Sequence, residues 1–284
     1  MNTSKVNIAI AFYGITRSLK YTAESINTNL IKPTRKFGNC KVFAHFFNQK
    51  IINNPRTNEY LENDTNQSNM LHIDHKVISE IKKIEASKIL KDLIPYGNAW
   101  EDNLESLQNI IRQLISLKIV TGIIENDNHY DYVMFARPDM EYHNEIDWSY
   151  ITNYSDTSTI FVPDWQWSGG INDRFAICGS KAFPVYGYRL NHTLEYCRAQ
   201  KLPLHSERLL YYIIKNSTCH IKTVELKATR IRATGTRAEE SFKRVKPIKI
   251  LQAYLYCHLI PRIRNLLNYL LISYRENNFN KNNK

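Results

Sequence analysis

The chain has 284 residues, of which 43% are hydrophobic and 12% aromatic, and it contains only nine glycines and nine prolines. This composition provides enough apolar surface for a core and excludes a disordered or collagen-like chain. The 38 lysines and arginines exceed the 27 acidic residues and give a net charge of +11, which favours an anionic partner. The sequence contains no zinc-finger spacing, RNA-binding aromatic motif or basic zipper, so we expect no nucleic acid partner.

The five cysteines are widely spaced and form no C-x-x-C pair. This odd, scattered set predicts neither a disulfide framework nor a zinc site and is usual in a reducing compartment. The first residues lead directly into an apolar strand without the features of a signal peptide. We therefore expect a cytoplasmic location.

Strand and helix patterns alternate from the start of the chain. Val6 to Tyr13 reads VNIAIAFY, an apolar run that ends at Gly14, as a buried strand of a parallel sheet would. A helix is predicted from there to Leu30, and a second strand over Lys41 to Phe47. The polar residues 48–69 predict a long loop.

Apolar residues at helical spacing follow this loop. They form an imperfect stripe over residues 76–93 and a cleaner one over 104–117, which predict two helices that pack on the sheet. Residues 130–136, YDYVMFA, are the strongest strand pattern in the chain. Pro138 ends that strand because proline cannot donate a hydrogen bond to the ladder.

Two shorter strand patterns occupy residues 159–162 and 174–178, and helical patterns occupy about 180–200 and 206–215. The repeated alternation predicts an α/β/α sandwich with a mostly parallel central sheet. In such a sheet, polar ligands bind beyond the carboxyl ends of the strands.

The composition changes near residue 246. The apolar and aromatic run 248–274 contains Pro261, Arg262 and Arg264, which argue against a membrane-spanning helix. We interpret residues 1–245 as one α/β domain and 246–284 as a basic, amphipathic helical segment and tail. This segment either packs on protein or makes peripheral contact with an anionic membrane.

Arg137 and Asp139 lie directly beyond the central strand, where side chains of an α/β sheet meet their ligand. A carboxylate here suits a divalent cation, Mn²⁺ or Mg²⁺, that bridges a diphosphate, which makes Asp139 the candidate metal ligand. The alternative is a structural ion pair between the two side chains.

Other candidates for the nucleotide side are basic. Arg17 follows the glycine turn after the first strand, where a guanidinium and backbone N–H groups hold phosphate. Arg112 lies on the helix before the central strand and either faces the ligand or belongs to the helix rim. Arg232, in the basic stretch 227–237, either closes over a diphosphate or is solvated. His220 is a weaker candidate metal ligand.

Further candidates lie in and directly after residues 164–170, DWQWSGG. The tryptophans of this segment are suited to the apolar faces of sugar rings, as in a loop that binds an acceptor. We predict Asp173 as the general base that takes a proton from an acceptor hydroxyl, with Asp164 as the second choice. A turn cap is the alternative for Asp173. Glu207 lies at the start of a predicted helix, where capping and the helix dipole explain a carboxylate.

The segment YDYVMFARPDM resembles the hydrophobic strand and D-x-D element of glycosyltransferases with the GT-A fold. Arg137 stands where the first Asp would be, which leaves metal dependence open. Four further segments resemble bacterial and large-virus polysaccharide glycosyltransferases: FYGITRSLKYTAESINTNLI, NLESLQNIIRQLISLK, NDRFAICGSKAF and HSERLLYYII. The likeness therefore spans about residues 6–237.

This resemblance implies a GT-A-like domain that moves a sugar from a nucleoside diphosphate sugar to a glycan or lipid-linked acceptor in surface polysaccharide synthesis. It implies that Tyr13 and Gly14, with Arg17, lie at the nucleotide. It also implies that Arg112 is presented towards the nucleotide sugar and that Glu207 has a catalytic role as a base or at a sugar hydroxyl. Two other functions stay open: a nucleotidyl- or phosphotransferase, although no Walker-type motif is present, and a binding module driven by charge alone.

Overall fold

The computed structural model describes residues 5–54, 59–80, 86–100, 102–154, 156–167 and 169–245. The predicted C-terminal segment, 246–284, lies outside the described residues, so the division of the chain at residue 245 stays a prediction.

Helices and strands alternate over most of the described chain. The strands are β1 (Asn7–Gly14), β2 (Asn39–Asn48), β3 (Ile51–Asn54), β4 (Glu59–Glu62), β5 (His75–Glu80), β6 (Tyr132–Ala136), β7 (Met140–Tyr142), β8 (Thr159–Pro163), β9 (Phe175–Gly179), β10 (His220–Val224) and β11 (Ala228–Arg230). The α-helices are α1 (Leu19–Ile26), α2 (Lys32–Phe37), α3 (Ala86–Leu93), α4 (Glu105–Glu125), α5 (Trp148–Thr152), α6 (Phe183–Gly187), α7 (Thr193–Gln200) and α8 (Ser206–Lys215).

A central sheet of seven strands has the order β10-β8-β9-β6-β1-β2-β5. All its pairings are parallel except the two that β9 makes with β6 and β8. The predicted α/β class with a mostly parallel sheet is thereby confirmed. Because β9 runs the other way, its first residue lies at the edge where the parallel strands end.

Both faces of the sheet are covered, as the continuous apolar sequence of β1 predicts. Ala9 and Ala11 contribute to a core with α4, α6, α7 and α8, whereas Ile8 and Ile10 contribute to a second core with α1 and α5. The result is a three-layer α/β/α arrangement that buries β1 from Ile8 to Tyr13.

Helix α4 carries the clean apolar stripe that the sequence predicted, with Leu107, Ile111, Leu114 and Leu117 buried. By length and mean hydropathy, 1.2, this helix could cross a membrane. Slightly more than half of the apolar stretch, 56%, is buried inside the fold, and a helix of a protein core meets the same criteria of length and hydropathy.

Two sequence predictions are wrong. Residues 48–69 contain a β3–β4 ribbon and a 3-10 helix, Thr65–Met70, rather than a long loop. Residues 76–93 are divided between the edge strand β5 and helix α3 rather than forming one helix. Pairing of β5 with β2 supplies backbone hydrogen bonds that the weak helical stripe could not predict.

A short antiparallel pair brings a late segment of the chain next to the end of the central strand β6. Strand β11 pairs with β7, which places Arg230 opposite Met140. The Ile231 N–H donates a hydrogen bond of 2.8 Å to the Asp139 carbonyl. This pairing, which the sequence did not predict, brings a basic segment to the carboxyl end of β6.

Candidate active site

A cleft of about 400 Å³ lies at the sheet edge where β1, β2 and β6 end and β9 begins. Polar side chains dominate its lining, and Tyr13 and Gly14 form part of it at the end of β1. Nine of the ten residues predicted for the site line this one cleft: Tyr13, Gly14, Arg17, Arg112, Arg137, Asp139, Asp173, Glu207 and Arg232.

Asp139 is the centre of a buried charge cluster in this cleft, with only 4% of its surface exposed. Arg137 donates from Nε to Oδ1 over 2.8 Å and from Nη2 to Oδ2 over 2.7 Å. Arg17 donates from Nη2 to Oδ2 over 2.9 Å. Burial alone would raise the pKa of the Asp139 carboxyl, but the charges of Arg137 and Arg17 outweigh it and hold that pKa well below its usual range.

These contacts do not fit a divalent cation at Asp139. Both carboxylate oxygens already accept hydrogen bonds from guanidinium groups, and the charge of Arg230 also acts on this carboxyl. Within the described ranges, no group of three or more His, Cys, Asp or Glu side chains could hold a metal ion. His220 lies exposed on β10 beside Asp156 and does not line the cleft.

Glu59 forms ion pairs with two of the cleft arginines, and it was not identified from the sequence. It is 4% exposed and begins β4. One of its oxygens lies 4.0 Å from Arg17 Nη1 and 3.8 Å from Arg232 Nη1, and the other accepts a hydrogen bond from the Ala233 N–H. Its place in a polar stretch, 174 residues before Ala233, gave no signal of these contacts.

Two further arginines complete the lining and were not predicted as site residues. Arg174 donates from Nη2 to Glu240 over 3.0 Å, and its guanidinium lies 5.2 Å from the ring centroid of Trp165. Arg230 enters from β11. Burial, followed by the repulsion of Arg137, lowers the pKa of Arg230 to about 10.

Arg112 lies on α4 and lines the cleft, so it belongs both to the helix surface and to the site. Its Nη1 and Nη2 donate to the amide oxygens of Asn109 and Gln108, each over 3.0 Å. Burial lowers its pKa. Beside it, Gln113 accepts a hydrogen bond of 3.3 Å from Arg137 Nη1 and connects the helix to the strand end.

Asp173 lies at the start of β9, where it is 6% exposed and lines the cleft. The turn bond expected of it is made by Asn172 instead, whose Oδ1 accepts from the Arg174 N–H over 3.0 Å. Asp173 Oδ2 lies 3.7 Å from Nη1 of Arg189. Arg189 is completely buried and stacks on Tyr186 at 4.2 Å, so it fixes a positive charge beneath Asp173.

Close backbone packing brings the segment before Asp173 against Glu207, another carboxylate predicted for the site. The Ile171 N–H donates to the Glu207 carbonyl over 3.1 Å at the first turn of α8. A Cβ atom on Gly170 would lie 2.3 Å from the Glu207 carbonyl carbon, so this approach requires glycine. Glu207 is 9% exposed and lines the cleft with Asp173.

Gly170→Ala is expected to destabilise the fold by about 1–3 kcal/mol, because two backbone segments must separate to admit the methyl group. Urea unfolding of the variant measures this loss. Gly122→Ala on α4 is the matched control, since its Cβ would meet only the Tyr188 hydroxyl, at 3.7 Å. Alanine should be neutral or stabilising there by up to about 1 kcal/mol. Equal stabilities for the two variants would contradict the packing described.

The structure corrects the prediction for Asp164. This residue lines a separate cleft and pairs with Arg244, whose Nε lies 3.2 Å from its Oδ2. The neighbouring Trp165 and Trp167 are buried and donate from Nε1 to the carbonyls of Leu226 and Pro163. Both tryptophans therefore belong to the core, and their rings cannot serve as a platform for a sugar.

A half-buried aromatic pair was missed instead. Trp100 stacks on His205 with ring centroids 5.3 Å apart, and both side chains line the cleft.

The basic stretch 227–237 is divided between the cleft and other surfaces. Arg230 and Arg232 line the cleft. Lys227 lines the separate cleft beside Asp164, and Arg237 forms an exposed pair with Glu141.

The turn at Gly14 is tied to a buried histidine. The Gly14 N–H donates to Ser116 Oγ over 2.8 Å, and this hydroxyl lies 2.7 Å from Nδ1 of His45. Ser116 Oγ donates to the His45 carbonyl, so Nδ1 carries the proton in this arrangement. Burial lowers the pKa of His45 to about 4.

His45→Gln is expected to flatten the dependence of stability on pH between about 6.5 and 4, the ordinary and the folded-state pKa values. In this window the unfolded chain binds the proton and the folded chain does not, so stability decreases as the pH is lowered, by up to about 1.4 kcal/mol per pH unit. Denaturant unfolding at several pH values measures the slope. The exposed His129→Gln serves as control, and an unchanged slope in His45→Gln would refute the assignment.

No protein-family model matches the chain, and no curated protein sequence matches it. Among solved structures, the apo form of mouse xyloside xylosyltransferase 1 is similar with 8% identity and a TM-score of 0.41, over 77% of this chain and 84% of that one. A glycosyltransferase involved in glycosylation of the major capsid of PBCV-1 is similar with 10% identity and a TM-score of 0.42, over 77% of this chain and 81% of the other. At these identities and scores, the likeness carries no weight on activity, which must rest on the cleft itself.

Proposed function

We propose that the protein is a glycosyltransferase that moves a sugar from a nucleoside diphosphate sugar to a hydroxyl of a glycan or lipid-linked acceptor. The supporting observation is the cleft at the carboxyl edge of the sheet, which combines guanidinium groups with the buried carboxylate of Asp173. Phosphate recognition explains the first feature, and deprotonation of a hydroxyl explains the second.

The sugar nucleotide would bind across the ends of β1 and β6. Arg17 and Arg137 are held in place by Asp139, so their geometry is fixed before the ligand arrives. The faces of Trp100 and His205 offer a flat surface for a base or a sugar ring at the rim. Polar anchors with a small aromatic surface are typical of a pocket that orients one ligand.

The reaction follows from the two charged groups. The acceptor oxygen bonds to the anomeric carbon while the bond from that carbon to the diphosphate oxygen breaks. The acceptor proton passes to Asp173, and the electron pair of the broken bond stays on the diphosphate. Guanidinium groups stabilise the negative charge that develops there, and Glu207 is placed to contact the acceptor.

The cellular setting remains a proposal derived from charge. A net charge of +11 suits a cytoplasmic enzyme of surface polysaccharide synthesis that approaches an anionic membrane carrying its lipid-linked acceptor.

A thermal-shift panel of UDP, GDP, CDP, dTDP and ATP tests the proposal. A ligand that binds the folded state raises its apparent stability by mass action. We expect one nucleoside diphosphate to raise the Tm selectively and Arg137→Gln to remove the shift, whereas the exposed Arg237→Gln keeps it. If none of the nucleotides changes the Tm, the sugar-nucleotide function is wrong.

A further inference from the structure

Positive charge exceeds negative charge inside the cleft. Among the described residues that line it there are six arginines and three carboxylates: Arg17, Arg112, Arg137, Arg174, Arg230 and Arg232, with Asp139, Asp173 and Glu207. Asp139 is fully engaged by Arg17 and Arg137. Glu59 and Glu240 do not line the cleft, but they offset part of the charge of Arg17, Arg232 and Arg174. With Arg189, which lies beside Asp173, seven arginines of the described chain then stand against five carboxylates. A bound polyanion would neutralise this remaining excess.

Several guanidinium N–H groups in this cleft are buried without an acceptor among the described residues. They are Nε of Arg17, Arg112 and Arg230 and Nη1 of Arg174. A buried donor without an acceptor costs free energy, which the side chain can recover by turning that donor towards a ligand oxygen. Diphosphate oxygens match these groups, because each accepts several hydrogen bonds from forked donors.

We infer that guanidinium groups alone hold the diphosphate and neutralise its leaving charge, so that transfer needs no divalent cation. This inference rests on the proposed function. Asp139 then acts as a positioning residue, because its carboxylate orients the guanidinium groups of Arg17 and Arg137. Arg230 and Arg112 complete the anion site from β11 and α4.

The test is calorimetric titration of protein freed of metal by EDTA. Inorganic pyrophosphate and the nucleoside diphosphates UDP, GDP, CDP and dTDP are titrated, with and without added Mn²⁺. We expect one nucleoside diphosphate to bind with a Kd that changes less than about twofold with Mn²⁺. Arg230→Gln should weaken binding about tenfold or more, because a charge-assisted contact is lost. The control Arg237→Gln, outside the cleft, should leave the Kd unchanged.

A structural role for Arg230 is distinguished by Arg230→Lys, which keeps the charge and removes the fork, and by the Tm of each variant. Should Arg230→Gln fail to fold, Arg112→Gln carries the same test, because Arg112 bonds to two amides rather than to a carboxylate.

The outcomes separate this inference from the function on which it rests. Nucleoside diphosphate binding that appears only with Mn²⁺ overturns cation independence and leaves the transferase proposal intact. Binding of pyrophosphate without any nucleoside diphosphate supports the anion site and contradicts the sugar-nucleotide function. Absence of binding by every probe overturns both.

Discussion

Replacing Asp139 by asparagine is expected to lower the free energy of unfolding by about 3–5 kcal/mol, because Arg17 and Arg137 would keep their buried charges without a counterion. Urea unfolding monitored by tryptophan fluorescence measures the change. A lone carboxylate that served only as a cation ligand would behave differently, since in the metal-free protein its removal would relieve the cost of burying an unpaired charge.

Glu141→Gln is the matched control for this loss. Glu141 pairs with Arg237 through two hydrogen bonds at an exposed position, where solvent screens the pair and little stability depends on it. An Asp139→Asn variant as stable as Glu141→Gln in metal-free buffer would show that the buried cluster does not hold the cleft together.

Replacing Asp173 by asparagine is expected to reduce the rate of sugar transfer by about 10²- to 10⁴-fold, the usual contribution of a positioned general base. Binding of the sugar nucleotide should change little, because the side chain keeps its size and lies at the acceptor end of the proposed site. Steady-state rates and calorimetric Kd values separate the two effects. The variant's Tm must accompany them, since Arg189 loses its nearby carboxylate.

Two further variants decide between the candidate bases. Asp164→Asn should transfer at the normal rate, because Asp164 lies in a separate cleft beside Arg244. Glu207→Gln should retain most of the rate if Glu207 only contacts the acceptor. Near-complete loss in Glu207→Gln with normal transfer in Asp173→Asn would reverse the assignment of the base.

The sequence was most informative where local patterns determine the structure. The apolar runs of β1 and β6 predicted buried parallel strands, because only a strand covered on both faces tolerates such continuous hydrophobicity. Residues that directly follow these strands, such as Arg17 and Asp139, then had to share one edge of the sheet. That topological rule accounts for five of the predicted residues that line the cleft: Tyr13, Gly14, Arg17, Arg137 and Asp139.

Contacts between distant segments could not be predicted in this way. Glu59 meets Arg17 and Arg232 only because β4 and the segment after β11 converge on the cleft. Edge strand β5 is mostly exposed and gains its conformation from pairing with β2 rather than from its own pattern. Side-chain burial was similarly hidden, since Trp165 in the core and Trp100 at the cleft look alike in sequence.

Release of free nucleoside diphosphate from a panel of UDP-, GDP- and dTDP-sugars, with a mixture of saccharide acceptors, tests the transferase assignment most directly. We expect one sugar nucleotide to be consumed, with equal release in EDTA and in Mn²⁺, and we expect Asp173→Asn to bind this compound without consuming it. A protein that binds a nucleoside diphosphate yet leaves every sugar nucleotide intact, with all acceptors present, would be a binding protein rather than a transferase.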